Sequence, residues 1–267
     1  MPKIKVNGSE LYYEDTGGPG EAIIFSHGLL WNTTLFAPQV TALKGRYRCI
    51  SYDHRGQGQS ADAQGSEIGM DLLTEDAVPL IRALNLEKVH FCGLSMGGFI
   101  GMRLAARFPQ LVRSLILCET SADAEPAENI PKYKRLSFVA RWIGIRVVTP
   151  QVMPILFGKT ALTDSGRAND RARWMQQMNK NRRSIWRAVN GVLFRSAVMD
   201  ELPRIQAPTL VIVGEEDVAT VPAKAARIAQ AIPNAQLVHI PGAGHSSTVE
   251  APEAVNAAIA NFLAQPR

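Results

Sequence analysis

The chain has 267 residues, of which 46% are hydrophobic and 20% charged, a composition that can bury a full core in one large domain or in one domain with an insertion. Its formal net charge of +5 accompanies no recognised nucleic-acid-binding module, so we expect no nucleic-acid partner. No apolar run approaches the ~18 residues of a membrane span, and the first residues, MPKIKVNGSELYYED, lack the apolar centre of a signal peptide, so neither an integral membrane protein nor a secreted one is expected.

Eight short apolar runs alternate with helical patterns along most of the chain. The predicted helices include Met70 to Leu84, in which Leu73, Ala77, Leu80, Ile81 and Leu84 recur at helical spacing. The predicted strands are IKVNG, ELYYED, AIIFSHG, YRCISYD, KVHFCGLS, VRSLILCE, TLVIVGEED and AQLVHIPGAG. Runs rich in Val and Ile that helices separate predict an α/β fold with a mostly parallel sheet, covered on both faces.

The regular alternation stops after the sixth strand-like run. The segment that follows is basic, rich in Trp and Met, and contains Pro131, Pro150 and Pro154, which we expect to break it into several helices. The sequence therefore predicts an inserted helical cap at residues 122–206, within a core domain that comprises residues 1–121 and 207–267.

The three cysteines, Cys49, Cys92 and Cys118, each lie within an apolar strand-like run. None belongs to a CxxC pair or has a histidine at metal-ligand spacing. They predict buried free thiols of a reducing, cytoplasmic environment, and no metal site.

The stretch FCGLSMGGF places a serine among glycines at the junction of a predicted strand and a predicted helix. Gly93, Ser95 and Gly97 form the pattern GxSxG in the context that a nucleophile elbow requires. The glycines leave room for the hydroxyl, and the amide of Met96 at the helix start is available to stabilise an oxyanion. The alternative is a glycine-rich turn in which Ser95 caps the helix.

A serine nucleophile needs a base, and one of the five histidines lies in a loop after a late strand. His245 belongs to HIPGAGHSS, whereas His90 and His239 lie within strand patterns that predict packed or surface side chains. An acid must orient that histidine, and Asp217 in VIVGEEDVATVP follows the preceding strand. The competing acids are Glu215, Glu216 and Glu119.

These motifs resemble the α/β-hydrolase superfamily over the whole chain except the inserted segment. The order Ser95, Asp217, His245 matches that of its catalytic triad. Within the superfamily the core is similar to 3-oxoadipate enol-lactonases and small bacterial carboxylesterases, which share the GLSMGG elbow and an acid loop close to GEEDVATVP. The supporting stretches are SHGLL, SYDHRGQGQS, GLSMGG, RLAARFPQLVRSLILCE, APTLVIVGEEDVATVP and IPGAGHSSTVEAPEAVNAAIANFL.

The resemblance implies the α/β-hydrolase fold, with a mostly parallel eight-stranded sheet flanked by helices and a helical cap after the sixth strand. It also implies a second oxyanion donor, the amide of Leu29 after the His27-Gly28 pair, and a structural role for the loop from Asp53 to Ser60. Ser95 excludes the aspartate nucleophile of haloalkane dehalogenases and epoxide hydrolases. The stretch HGLLWN lacks the proline that many cofactor-free haloperoxidases carry there.

The predicted activity is hydrolysis of carboxylic esters of small or medium size, with no metal or organic cofactor. A lactonase, and a non-catalytic binding protein of the same fold, are the alternatives. Trp31, Trp142 and Trp186 are the candidate pocket residues.

Fourteen Lys and Arg residues lie between Pro131 and Arg195 against two acids, Asp164 and Asp170, a local net charge of +12. They predict either a solvated face or a surface that guides anionic substrates or attaches to an acidic surface.

Overall fold

A computed structural model describes residues 2–265, and that part of the chain contains one eight-stranded sheet. The strands are β1 (Lys3–Val6), β2 (Ser9–Asp15), β3 (Ala22–Ser26), β4 (Arg48–Tyr52), β5 (Val89–Leu94), β6 (Val112–Cys118), β7 (Thr209–Gly214) and β8 (Gln236–Ile240). Their order is β1-β2-β4-β3-β5-β6-β7-β8. β2 is antiparallel to its two neighbours, and every other neighbouring pair is parallel. The predicted fold class is confirmed.

The central strands are apolar throughout because both of their faces are covered. β3, β5 and β7 are buried along their whole length, so they show no alternation of polar and apolar residues. The one histidine among them, His90, is packed, which is one of the two environments predicted for it: its Nδ1 lies 2.7 Å from the Ser114 hydroxyl, and its Nε2 lies 3.0 Å from a Glu21 carboxylate oxygen.

Helices flank this sheet. α1 packs on α11, α2 packs on α3, and α3 lies against β5 and β6. The helices of residues 2–265 are α1 (Ala37–Leu43), α2 (Met70–Ala83), α3 (Met96–Arg107), α4 (Ile130–Trp142), α5 (Ile145–Leu156), α6 (Lys159–Thr163), α7 (Ala168–Met178), α8 (Trp186–Leu193), α9 (Pro222–Ala231), α10 (Ser247–Glu250) and α11 (Pro252–Leu263). Within the same residues, no helix is both long and apolar enough to cross a membrane.

The inserted cap consists of α4 to α8, between β6 and β7. Pro131 lies in the first turn of α4, where the missing amide hydrogen costs nothing. Pro150 and Pro154 lie inside α5 and do not end it, so the helix breaks expected there are wrong. The buried side of α5 provides packing that offsets the two lost hydrogen bonds; it comprises Ile145, Val148, Thr149, Val152, Met153 and Leu156.

The candidate catalytic residues follow parallel strands. Ser95 comes directly after β5, Asp217 follows β7, and His245 follows β8. The carboxyl ends of parallel strands lie at one edge of the sheet, where open α/β sheets bind their ligands. The topology therefore brings residues that are 150 positions apart in sequence to the same edge, beneath the cap.

Candidate active site

Ser95 occupies a sharp turn between β5 and α3. Its φ of 52° and ψ of −109° are unfavourable for a residue with a Cβ atom. The main chain is fixed by hydrogen bonds: the Ser95 amide donates to the Cys118 carbonyl at 2.9 Å, and the Thr120 hydroxyl donates to the Ser95 carbonyl at 2.8 Å. A Cβ at Gly97 would collide with the Ser26 carbonyl, so only glycine allows α3 to approach β3 this closely.

His245 is paired with Asp217. The His245 Nδ1 lies 2.9 Å from the Asp217 Oδ2, and both side chains are buried. The other Asp217 oxygen accepts from the amides of Ala219 and Thr220 at 2.8 and 2.9 Å. Burial raises the pKa of Asp217, but the His245 ring and these hydrogen bonds outweigh that effect and hold the pKa below its usual value. An ionised Asp217 accepts from His245 Nδ1–H, and in the neutral form of this tautomer Nε2 is the acceptor.

The competing acids lie elsewhere. Glu215 is exposed, and Glu216 accepts from the amide and the hydroxyl of Thr160 in the cap, at 2.8 and 2.6 Å. Glu119 is fully buried, and neither of its carboxyl oxygens makes a hydrogen bond of good geometry to a residue within 2–265. Burial raises the pKa of Glu119 well above its usual range.

Ser95 and His245 line the same cavity, which has a volume of about 140 Å³ and lies between the core and the cap. Most of the residues that form its wall are apolar. Those that the cap contributes from α4, α5 and α8 include Leu136, Ile145, Val148, Val152, Ile155, Val189 and Val192. Trp31 lines the cavity, and its ring packs edge-on against Trp174, with centroids 5.3 Å apart.

Trp142 and Trp186 do not line the cavity, so this part of the pocket prediction is wrong. The α4 residues in the wall recur at spacings of three and four; they are Tyr133, Leu136, Ser137 and Ala140. Trp142 follows Ala140 by two positions, which is more than half a turn around the helix, and it is 58% exposed on the outer side. The guanidinium of Arg141 lies over the Trp186 ring, 4.0 Å from its centroid.

The amides of Leu29 and Met96 are free to donate, because neither forms a hydrogen bond with another residue in the described chain. Leu29 lines the cavity, and Met96 is the first residue of α3. The turn that follows Leu29 is held by Gln57, whose Oε1 accepts from the Leu30 amide at 3.0 Å. Leu30 adopts a φ of 71°, which this bond helps to maintain.

Behind this turn lie two buried histidines, and sequence reasoning gave them no role. The ring centroids of His27 and His54 are 4.3 Å apart. His27 Nε2 accepts from the His54 amide at 3.1 Å, so its Nδ1 donates to the Gly28 carbonyl at 2.7 Å. Burial lowers the pKa of His27 to about 4 and that of His54 well below its usual value. Both rings are therefore neutral supports for the Gly28 turn.

The loop that begins at Asp53 also supports this region. The two Asp53 carboxylate oxygens accept from the amides of Thr33 and Gln59, each at 2.7 Å. Burial raises the pKa of Asp53 to about 6. These contacts agree with the structural role that the resemblance implied for residues 53–60.

A charged pair forms one polar part of the cavity wall, and no pattern in the sequence predicts it. Arg195 Nη1 lies 3.0 Å from a Glu125 carboxylate oxygen, and both side chains are largely buried. The guanidinium lies 4.3 Å from the centroid of the Phe99 ring, and Tyr133 is in the wall beside the pair. Burial, and then the Glu125 charge, raises the pKa of Tyr133. The pair links the two ends of the cap across 70 positions, a separation that no local pattern encodes.

Residues 2–265 contain no group of three or more His, Cys, Asp or Glu side chains arranged to hold a metal ion. The three cysteines are buried and free.

A family model described as the alpha/beta hydrolase fold matches residues 21–252. The chain belongs to the α/β-hydrolase family. It is 31% identical, over 95% of both chains, to a protein of Caulobacter sp. (strain K31) that is named as a carbamate hydrolase, RutD. The enol-lactonase of Burkholderia xenovorans LB400 superposes with a TM-score of 0.91 at 31% identity, covering 99% of this chain and 100% of that one. A thermophilic esterase from Thermogutta terrifontis, solved with malate bound, also gives 0.91 at 29% identity, covering 98% of both chains.

Proposed function

We propose that this α/β-hydrolase cleaves carboxylic esters of small or medium size through an acyl-enzyme on Ser95. One observation carries the proposal: Ser95 lies in a mainly apolar cavity that also contains His245, whose Nδ1 is 2.9 Å from the buried Asp217. A hydroxyl, a neutral imidazole and an ionised carboxylate in this relation are what acyl transfer to a serine requires. The similarity to an esterase supports the same reaction.

In the first half-reaction, Ser95 Oγ attacks the ester carbonyl while His245 Nε2 takes the hydroxyl proton. The carbonyl oxygen becomes negative and accepts hydrogen bonds from the amides of Leu29 and Met96. The bond to the alcohol oxygen then breaks, and His245 returns the proton to that oxygen. In the second half-reaction, His245 takes a proton from water, the hydroxide attacks the acyl group, and Ser95 leaves with the proton restored. Asp217 stabilises the imidazolium in both steps.

The cavity favours a short neutral acyl group. An apolar cavity of about this size holds a molecule as large as benzene, which corresponds to a chain of roughly four to six carbons. The Arg195 charge in the wall is balanced by Glu125 at 3.0 Å, so the wall offers no uncompensated cation to a substrate carboxylate. We therefore expect p-nitrophenyl butyrate or hexanoate to exceed the acetate and the laurate in kcat/KM.

The exposed cations of the cap act at longer range. If they guide anionic substrates, kcat/KM for an ester that carries a carboxylate falls as salt is added, because mobile ions screen exposed charges. A kcat/KM independent of salt would exclude guidance of anionic substrates by these cations.

The decisive experiment combines hydrolysis of p-nitrophenyl esters with covalent labelling by a fluorophosphonate. Ser95→Ala should lose both turnover and the label. Ser137→Ala is the matched control, because Ser137 lines the same cavity, and it should retain both. Labelling or turnover that persists in Ser95→Ala would overturn the proposal. Ligand binding without any turnover by the unchanged protein would instead favour the non-catalytic alternative.

A lactonase is the second candidate, supported by the similarity to the enol-lactonase over 99% of this chain. The same residues would open a ring ester. The ring oxygen that leaves the carbonyl takes the proton from His245 and stays covalently attached to the acyl chain, and water then releases the whole hydroxy acid from Ser95. Comparing kcat/KM for p-nitrophenyl butyrate, an enol-lactone and an acyl-homoserine lactone distinguishes an esterase from a lactonase. A lactone preferred by more than tenfold would replace the ester as the substrate class.

A further inference from the structure

Exposed apolar side chains concentrate at the junction of α4 and α5. Phe138, Trp142, Ile143 and Val147 are 63%, 58%, 62% and 53% exposed, and they lie within ten consecutive residues. We call this group, with the cations around it, the α4–α5 tip. An exposed cluster of large apolar residues rimmed by polar ones is typical of a site that contacts another surface.

The four exposed apolar side chains make up the apolar patch of the α4–α5 tip: two of them pack together, and the other two follow within five residues. Phe138 and Trp142 are one helical turn apart, and their ring centroids lie 6.4 Å from each other. Gly144 adopts a φ of 137°, which glycine accommodates without strain, and it turns the chain between the two helices. Ile143 precedes this turn, and Val147 lies in the first turn of α5.

Cations surround the patch on the same helix face. Lys134, Arg135 and Arg141 are exposed and lie four residues before, three before and three after Phe138. Arg183 donates to the carbonyls of Trp142 and Ile143, each at 3.4 Å. The sequence contains no Asp or Glu from residue 130 to residue 163. Within residues 2–265, none of these cations, nor the exposed Arg146, forms an ion pair.

We propose that the α4–α5 tip docks on the surface of an anionic lipid bilayer. The four apolar side chains would insert among the headgroups, and the cations would lie at the level of the lipid phosphates. Trp is favoured at such interfaces because its ring is apolar and its N–H remains hydrated. The protein would associate peripherally, since no helix within residues 2–265 can span the membrane.

The charge of the cap favours a lipid surface over a second copy of this chain. Residues 131–195 carry a net charge of +12, so two caps facing each other would repel. An anionic surface attracts the same residues and covers the apolar patch at the same time. The proposal concerns the outer side of α4 and α5 and is independent of the proposed ester hydrolysis, which uses the inner side.

The test is co-sedimentation of the whole protein with large unilamellar vesicles. One set contains phosphatidylcholine alone, and the other contains phosphatidylcholine and phosphatidylglycerol in a two-to-one ratio. We expect at least tenfold stronger binding to the anionic vesicles, weakened by added salt. Equal binding to both vesicle types, or binding to neither, would overturn the proposal.

Two double variants test the role of charge. Arg135→Glu with Arg146→Glu reverses two charges at the tip, whereas Lys44→Glu with Lys88→Glu reverses two exposed charges of the core. Both double variants have the same net charge. The tip variant should lose at least tenfold in affinity for anionic vesicles, and the core variant should lose much less. Equal losses would mean that net charge alone drives binding and would overturn docking at the tip.

Trp142 tests the orientation. Brominated lipids should quench its fluorescence, and Trp142→Phe should abolish most of that quenching while retaining binding. Trp142→Ala should weaken binding and leave kcat/KM for a soluble p-nitrophenyl ester unchanged, because Trp142 does not line the cavity. A dimer by light scattering that depends on Trp142, without vesicle binding, would assign the tip to a second copy instead. If the protein hydrolyses no ester, the vesicle-binding results still test docking at the tip, because docking does not depend on the proposed activity.

Discussion

Glu250 accepts hydrogen bonds from the main chain on both sides of His245. The Gly244 amide lies 3.1 Å from both carboxylate oxygens of Glu250, and the Ser246 amide lies 3.0 Å from Oε1. The Gly158 amide, between α5 and α6, donates to Oε2 at 2.8 Å. A single buried carboxylate thus ties the loop of the candidate catalytic histidine to the cap. Burial raises the pKa of Glu250 even though these amides favour the charged form.

Glu250→Gln tests whether this contact positions His245. The Gln side chain keeps one oxygen as an acceptor, but its NH₂ group faces main-chain N–H groups that need an acceptor. The loop that carries His245 should therefore shift. We expect kcat to fall by up to about a hundredfold with KM little changed, and the free energy of unfolding to fall by about 1–3 kcal/mol. Glu253→Gln, exposed on the next helix, is the control. A wild-type kcat in Glu250→Gln would assign Glu250 to stability alone.

Replacing Asp217 by asparagine should nearly abolish turnover. The Asn amide would donate toward His245 Nδ1 and favour the wrong tautomer, which costs about four orders of magnitude in kcat in a serine triad. Glu216→Gln, which alters a neighbouring acid that binds Thr160, should retain most of the activity. A comparable loss in both variants, measured with p-nitrophenyl butyrate, would contradict the assignment of Asp217.

Glu119 predicts a specific pH dependence of stability. In the folded protein burial raises its pKa well above the usual value, whereas in the unfolded chain the group ionises near pH 4.5. As pH rises from 5 toward 8, the unfolded state loses a proton that the folded state retains. The free energy of unfolding therefore falls, by at most about 1.4 kcal/mol per pH unit. Glu119→Gln removes this contribution and should be relatively more stable at pH 8.

Urea unfolding at pH 5 and pH 8 measures the effect. Glu75→Gln, at an exposed position of α2, should keep the wild-type difference between the two pH values. If Glu119→Gln also keeps it, Glu119 is ionised in the folded protein. Activity should survive in Glu119→Gln, since Asp217 contacts His245.

Glu125→Gln should change the preference for substrate charge. It leaves the buried Arg195 without its carboxylate partner, which lowers the free energy of unfolding by about 3 kcal/mol. A substrate carboxylate can then pair with the guanidinium. We expect kcat/KM for the mono-p-nitrophenyl ester of glutaric acid to rise by about tenfold relative to p-nitrophenyl valerate. Glu128→Gln, exposed outside the cavity, should leave this ratio unchanged, and an unchanged ratio in Glu125→Gln would exclude Arg195 from substrate contact.

Much of the core could be predicted because its information is local. Strand runs such as TLVIVG are apolar throughout because both of their faces are buried, and each predicted run corresponds to a strand. The positions of Ser95, Asp217 and His245 after parallel strands could also be inferred, since each candidate lies within five residues of the end of a strand that the residue pattern reveals. The helix breaks predicted at Pro150 and Pro154 are wrong, because the packing of α5 outweighs the local tendency of proline to end a helix.

By itself, the sequence determined the α/β alternation, the elbow around Ser95 and the place of the insertion, because each depends on residues close together in the chain. Only the tertiary structure decided which tryptophan faces the cavity, that Arg195 meets Glu125, and that Glu250 holds the His245 loop. The physical reason is that such contacts depend on the rotation of each helix about its axis and on pairs far apart in sequence. Helix rotation and distant pairing are fixed only when the whole core packs.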